Sequence, residues 1–170
     1  GRESDRLAKW YEEHPDDRAV RFQLAANTHA KGDVRSAQRN FEALLEQNPD
    51  NPVVLNNLAW IYQELGDERS LEYAEKAHEL LPDNAEIMDT YAWILLANGK
   101  VEQAIRLLNE AIIRAPNNPD IRYHYAKALV EVGQEELAIE ELSTVLADGE
   151  QQFASMPEAQ ALLQSLQPGG

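Results

Sequence analysis

Two kinds of chain-breaking residue recur in this sequence on one period. Gly32, Gly66, Gly99 and Gly133 lie 34, 33 and 34 residues apart, and Pro15, Pro49, Pro82 and Pro116 repeat the same 34, 33 and 34. Two independent breakers in step mean an internal repeat, and that repeat decides what the chain can fold into.

Between the breakers the apolar spacing is helical. Segment 52–65 carries Leu55, Leu58, Ala59, Tyr62 and Leu65, and segment 104–112 carries Ala104, Ile105, Leu107, Leu108, Ala111 and Ile112. Each period therefore reads as two helices joined at a glycine, with a proline-marked turn leading to the next pair. The glycine falls where a helix ends in a left-handed residue, a conformation without steric cost only when Cβ is missing. Asn51-Pro52 and Asn118-Pro119 read as an N-cap followed by a first-turn proline.

Register assigns the contacts. Ala25, Ala59, Ala92 and Ala126 stand seven before each glycine. Ala37, Ala104 and Ala138 stand five after it and Ser70 four, the second repeat being one residue short in its inter-helix turn. Small side chains at two fixed points let paired helices cross closely. Leu24, Leu58, Tyr91 and Tyr125, each one residue before the first set, wedge between the helices.

On these residues the sequence resembles the tetratricopeptide repeat (TPR) family, over roughly 2–148. The second repeat reads Leu58, Ala59, Tyr62, Gly66, Ser70, Ala74, Ala77, Pro82, and the third Tyr91, Ala92, Leu95, Gly99, Ala104, Leu108, Ala111, Pro116. The fourth departs at its end, with Glu150 in place of the proline. The resemblance implies an all-α fold: a right-handed solenoid of antiparallel helix pairs, about ten helices in a single array. Its expected parts are a second helix of a truncated repeat at 2–15, repeats at 18–49, 52–82, 85–116 and 119–148, and a capping helix at 157–167. Asn-Asn-Leu-Ala-Trp at 56–60, Leu-Glu-Tyr-Ala-Glu-Lys-Ala at 71–77, Asp-Thr-Tyr-Ala-Trp-Ile-Leu at 89–95 and Ile-Arg-Tyr-His-Tyr-Ala at 121–126 are similar to the C-terminal repeats of bacterial lipoproteins of the PEP-CTERM/exosortase system. That narrower resemblance implies a parent protein in the periplasm or at the outer membrane, tied to exopolysaccharide production and protein sorting. A cytoplasmic location stays open.

At the N-terminal end, Leu7 and Trp10 occupy positions of a second helix whose first helix is not present, which predicts an exposed apolar patch and a route to homodimerisation. Gly169-Gly170 reads as a frayed tail.

Composition narrows the partners. Fifteen Lys and Arg against thirty Asp and Glu give a net charge of −15, a field that repels nucleic acid and anionic lipid. The apolar run Ala92–Ala97 is too short to cross a bilayer, so no direct membrane insertion is expected. With no cysteine there is no disulfide, thiolate metal site or cysteine nucleophile.

No constellation points to catalysis. Glu75-x-x-His78 has the spacing of half a di-iron motif, but no second Glu-x-x-His exists to face it. The four histidines are dispersed and the glycines isolated. Glu135, Glu136, Glu140 and Glu141 read as a wet outer face. The expectation is no enzyme, no metal and no cofactor.

In a stack of helix pairs the first helices line the concave side. Ten before each glycine stand Phe22, Asn56, Asp89 and Tyr123; nine before, Gln23, Asn57, Thr90 and His124; six before, Ala26, Trp60, Trp93 and Lys127; three before, His29, Gln63, Leu96 and Val130. An indole on a partly wet wall offers large apolar area at low entropy cost, and its N–H can bond a peptide carbonyl. Phe22, Asn56, Asn57, Trp60, Gln63, Asp89, Thr90, Trp93, Tyr123, His124 and Lys127 are therefore the candidate peptide-binding residues. Lys127 is the one basic residue on these rows, so the family's carboxylate-clamping pattern is not matched. Three functions stand open: a protein-binding scaffold, a structural spacer or oligomerisation module with packed tryptophans, and a polysaccharide-contacting groove.

Overall fold

The computed structural model describes residues 2–149 and 151–168; Glu150 and the Gly169-Gly170 tail lie outside the described residues. Among these there are ten α-helices and no strand: α1 (Arg2–Glu13), α2 (Arg18–Ala30), α3 (Val34–Gln47), α4 (Pro52–Leu65), α5 (Arg69–Leu80), α6 (Ala85–Ala97), α7 (Val101–Arg114), α8 (Pro119–Glu131), α9 (Glu135–Leu146) and α10 (Met156–Leu166). The architecture is the all-α arrangement of helical hairpins, α2 on α3, α4 on α5, α6 on α7 and α8 on α9. Packing groups the helices into two compact units, one ending at Leu80 and the other starting at Leu81.

The same two turns recur because the same residues recur. All four period glycines have positive φ, between 68° and 85°. At each, the glycine N–H bonds the carbonyl three back, and the next N–H reaches a first-helix carbonyl five back, as Asp67 N to Tyr62 O at 2.8 Å and Lys100 N to Leu95 O at 2.9 Å. This pairing satisfies carbonyls that the helix end leaves open. The proline turns are equally regular: Asp17 N, Asn51 N, Asn84 N and Asn118 N each bond the carbonyl three residues back, at 3.0 to 3.3 Å. Each of those residues then caps the following helix, Asn51 and Asn118 ahead of a first-turn proline.

The small residues assigned to the crossing points are out of solvent. Ala25, Ala59, Ala92, Ala126, Ala37, Ala104 and Ala138 are fully buried and Ser70 is 5% exposed. Of the wedge residues, Leu58 and Tyr91 are buried, whereas Leu24 and Tyr125 remain half-buried. In the first unit Phe41, Leu44, Val54, Leu58, Ile61 and Tyr62 make the core. In the second, Tyr123, Ala126, Leu129, Leu142 and Ala159 make a core that includes α10.

Two local readings need correction. The closing helix starts at Met156, because Pro157 is tolerated in a first turn whose N–H groups are unpaired anyway. Glu141 is not part of a wet face: it pairs with Arg122 at 2.8 Å, both side chains under a quarter exposed, tying α9 to α8.

Candidate functional site

Each unit presents its own first-helix wall. In the first unit the wall is built on α2 and α4. Trp60, Asn56, Asn57 and Gln63 lie on α4 and are all half-buried. Asn57 Nδ2 donates back to Val53 O at 2.8 Å, and Gln63 Oε1 accepts from Ser70 Oγ at 3.2 Å across the inter-helix turn. Asn56 Oδ1 is buried and has no hydrogen-bond partner among the described residues. His29 and Glu64, joined at 2.7 Å, link α2 to α4. Phe22, half-buried like Trp60, packs against the core with its other side: its ring meets that of fully buried Phe41 edge-on at 5.4 Å.

In the second unit the wall is built on α6 and α8. His124 Nδ1 lies 2.6 Å from Asp89 Oδ1, and the imidazole also lies 4.3 Å from the Trp93 ring at a 35° tilt. Tyr123 sits 6.3 Å from Trp93. Three residues read from sequence as wall residues are largely withdrawn from solvent: Tyr123 and His124 are 6% exposed and Thr90 is 7%. The causes differ. Thr90 Oγ1 donates to its own helix at Glu86 O, 3.1 Å away. Tyr123 lies in the core that α10 completes, where burial, and secondarily the Glu158 charge, push its hydroxyl pKa up. His124 is drawn in by Asp89 and roofed by Trp93. Trp93, Asp89 and Lys127 stay partly accessible.

The sequence reading missed the polar ties between helices. Besides Arg122–Glu141, Tyr62 Oη donates to Glu42 Oε1 at 2.7 Å, and Asp120 Oδ1 accepts from Ser155 N at 2.9 Å. A signal was available: His29–Glu64, Asp89–His124 and Asp120–Ser155 are each 35 residues apart, one period plus one. The last pair shows α10 standing to α8 and α9 as α8 stands to α6 and α7.

Among the described residues no group of three or more His, Cys, Asp or Glu is placed to hold a metal ion. No helix described is long and apolar enough to cross a membrane. What each wall offers is a partly accessible indole beside amide, carboxylate or ammonium groups, with Trp93 also packed against the second core.

Helical hairpins of this length, repeated on a constant register with open walls, define a helical-repeat interaction scaffold. The comparisons make the assignment specific. Tetratricopeptide repeat models match residues 40–70, 68–117 and 95–166, and the chain belongs to the tetratricopeptide repeat family, whose members are generally non-catalytic scaffolds for protein–protein interaction. It is 29% identical over 112 residues to a TPR repeat-containing protein of Pseudomonas aeruginosa, covering 62% of this chain and 18% of that one. It is 31% identical over 117 residues to the Vi polysaccharide export protein VexE of Salmonella typhi, covering 66% of this chain and 18% of that one. The chain thus spans less than a fifth of the length of these curated relatives. A thermophilic TPR protein of Thermus thermophilus superposes with a TM-score of 0.77 over 92% of this chain and 87% of that one, at 18% identity, a likeness of fold.

Proposed function

We propose that the chain is a binding scaffold whose first-helix walls hold an extended peptide segment of a partner protein, with Trp60 the anchor in the first unit and Trp93 the anchor in the second. One observation carries this reading: both indoles occupy the offset six before the glycine, on first helices, and neither is enclosed. A tryptophan on such a wall buries large area at low entropy cost when a ligand covers it. Asn57, Gln63, Asp89 and Lys127 then supply polar contacts at the rim. The net charge of −15 favours neutral or basic segments. We place the partner in the bacterial envelope, in an exopolysaccharide or protein-sorting assembly; the likeness to VexE supports that placement.

The same likeness favours a second reading, in which the indoles stack on sugar rings of an exported polysaccharide. Selection of displayed peptides on the immobilised chain, repeated in the presence of soluble acidic and neutral glycans, tests both. Enrichment of an aromatic- or base-containing peptide, insensitive to glycan, supports the peptide reading. Displacement of every selected peptide by a glycan supports the second.

A further inference from the structure

Eleven asparagines stand in the chain, and one of them, Asn98, is followed by glycine. A backbone nitrogen can attack the side-chain carboxamide carbon of the asparagine before it, and glycine, with no Cβ, leaves that approach open. Asn48, Asn51 and Asn118 precede proline, whose nitrogen has no proton to lose.

Asn98 ends α6 at the α6–α7 turn, and Asn98, Gly99 and Lys100 are all exposed. The turn does not demand an asparagine. Lys31, Leu65 and Val132 hold the same place before the other period glycines, and each glycine N–H still bonds the carbonyl three back. A Cβ on Gly99 would meet nothing within 4 Å, so the turn stands open to water.

The closed turn withholds the reaction in three ways. With ψ of 10° at Asn98, the Gly99 nitrogen lies beside Asn98's own nitrogen, away from Cβ and the carboxamide. The Gly99 N–H is held by Leu96 O at 3.1 Å. The carboxamide is pinned in another direction, its Nδ2 donating to Ile94 O at 2.7 Å. Fraying of the last turn of α6 releases all three, and helix ends open far more readily than cores.

We infer that Asn98 is a site of spontaneous deamidation, gated by opening of the α6–α7 turn. In the opened turn the Gly99 nitrogen bonds to the Asn98 side-chain carbon, and the carboxamide nitrogen departs as ammonia, taking the proton that Gly99 loses. Water then opens the five-membered succinimide at one or other carbonyl, leaving aspartate or isoaspartate at position 98. Either product opposes reclosure. A carboxylate cannot donate to Ile94 O, and it sits at the C-terminus of α6, the negative end of the helix dipole. Isoaspartate also lengthens the backbone by one methylene. Since α6 carries Asp89 and Trp93, the second unit's wall loosens as the chain ages.

The test incubates the whole chain, its Ala92→Leu variant and a synthetic peptide of residues 95–102 at neutral pH and physiological temperature. Ala92 is fully buried at the crossing, so a leucine there drives the hairpin open. Mass spectrometry after proteolysis maps the products and separates Asn98 from Asp148-Gly149, where isoaspartate forms with no change of mass. Asn98 is expected to convert before any other asparagine, about tenfold or more slowly in the chain than in the peptide. Conversion is expected to be faster in Ala92→Leu than in the wild type. An Asn98→Asp chain should exchange the Gly99 and Lys100 amides about tenfold faster than the wild type. Earlier conversion of another asparagine overturns the site, and so does an intact Asn98 in Ala92→Leu once the peptide has converted. Equal rates in chain and peptide, or in the wild type and Ala92→Leu, overturn the gate. Unchanged exchange in Asn98→Asp overturns the loosening.

Discussion

The Tyr62 hydroxyl donates to Glu42 at 2.7 Å, joining the first helix of one repeat to the second helix of the repeat before it. Arg69 lies over the Tyr62 ring at 4.2 Å and approaches Glu42 to 3.7 Å, so a fully buried aromatic carries its polar end into a small charged network. Burial first, then the bond to Glu42 and its charge, raise the Tyr62 pKa far above the ordinary 10.0. In the unfolded chain the same hydroxyl ionises near its ordinary value while the folded one keeps its proton, so this contribution to stability is complete below that value and is lost as pH rises through it. Tyr62→Phe is expected to cost about 1 kcal/mol at neutral pH. It should also flatten the alkaline decline of stability, measured by urea melts at about pH 8 to 11.

Asp67 provides the acidic counterpart. Its hydrogen bond from the Arg69 side chain, then that from the Arg69 backbone, hold its carboxyl at about 2. A carboxyl-carbon NMR titration should find it there in the wild type, and Arg69→Ala should return it toward the ordinary 3.8. Its share of stability is present above the ordinary value and fades as pH falls toward the depressed one.

Ala92 is fully buried at a first-helix crossing. Ala92→Leu forces the α6–α7 hairpin apart and should cost about 1 to 3 kcal/mol. Hydrogen exchange should accelerate most in α6 and α7, since damage in a repeat array stays with the nearest neighbours. An unchanged melt would refute the close-crossing assignment.

Gly99 has φ of +77° and open space where a Cβ would stand, so the cost of Gly99→Ala is backbone strain alone, about 1 to 2 kcal/mol. Gly149 has equal space and is not in the left-handed region, so Gly149→Ala should leave the melting temperature unchanged.

The breakers and the alanine register made the hairpins legible in the sequence, because a helix end and a close crossing each demand a particular residue type. The walls were legible only as rows. Tyr123 and Thr90 share rows with open residues, yet one is covered by α10 and the other turns to its own backbone; neither fact has a one-residue signature. Phe22 is partly drawn toward the core because Phe41, a bulky second-helix residue, gives it an edge-on partner. The polar ties were hidden for a different reason: an offset of 35 is seen only when two charged or polar residues one repeat apart are compared, not within a repeat.

The central claim is that the tryptophans are binding residues. It is tested most directly by titrating a peptide selected on the wild-type chain against the wild type, Trp60→Ala, Trp93→Ala and Ile113→Ala, all confirmed helical and equally stable. Ile113, 80% exposed on the second helix α7, is the control. At least one tryptophan variant is expected to bind about tenfold more weakly or worse, while Ile113→Ala binds as the wild type does. Wild-type affinity in both tryptophan variants would contradict it and leave the walls as scaffold.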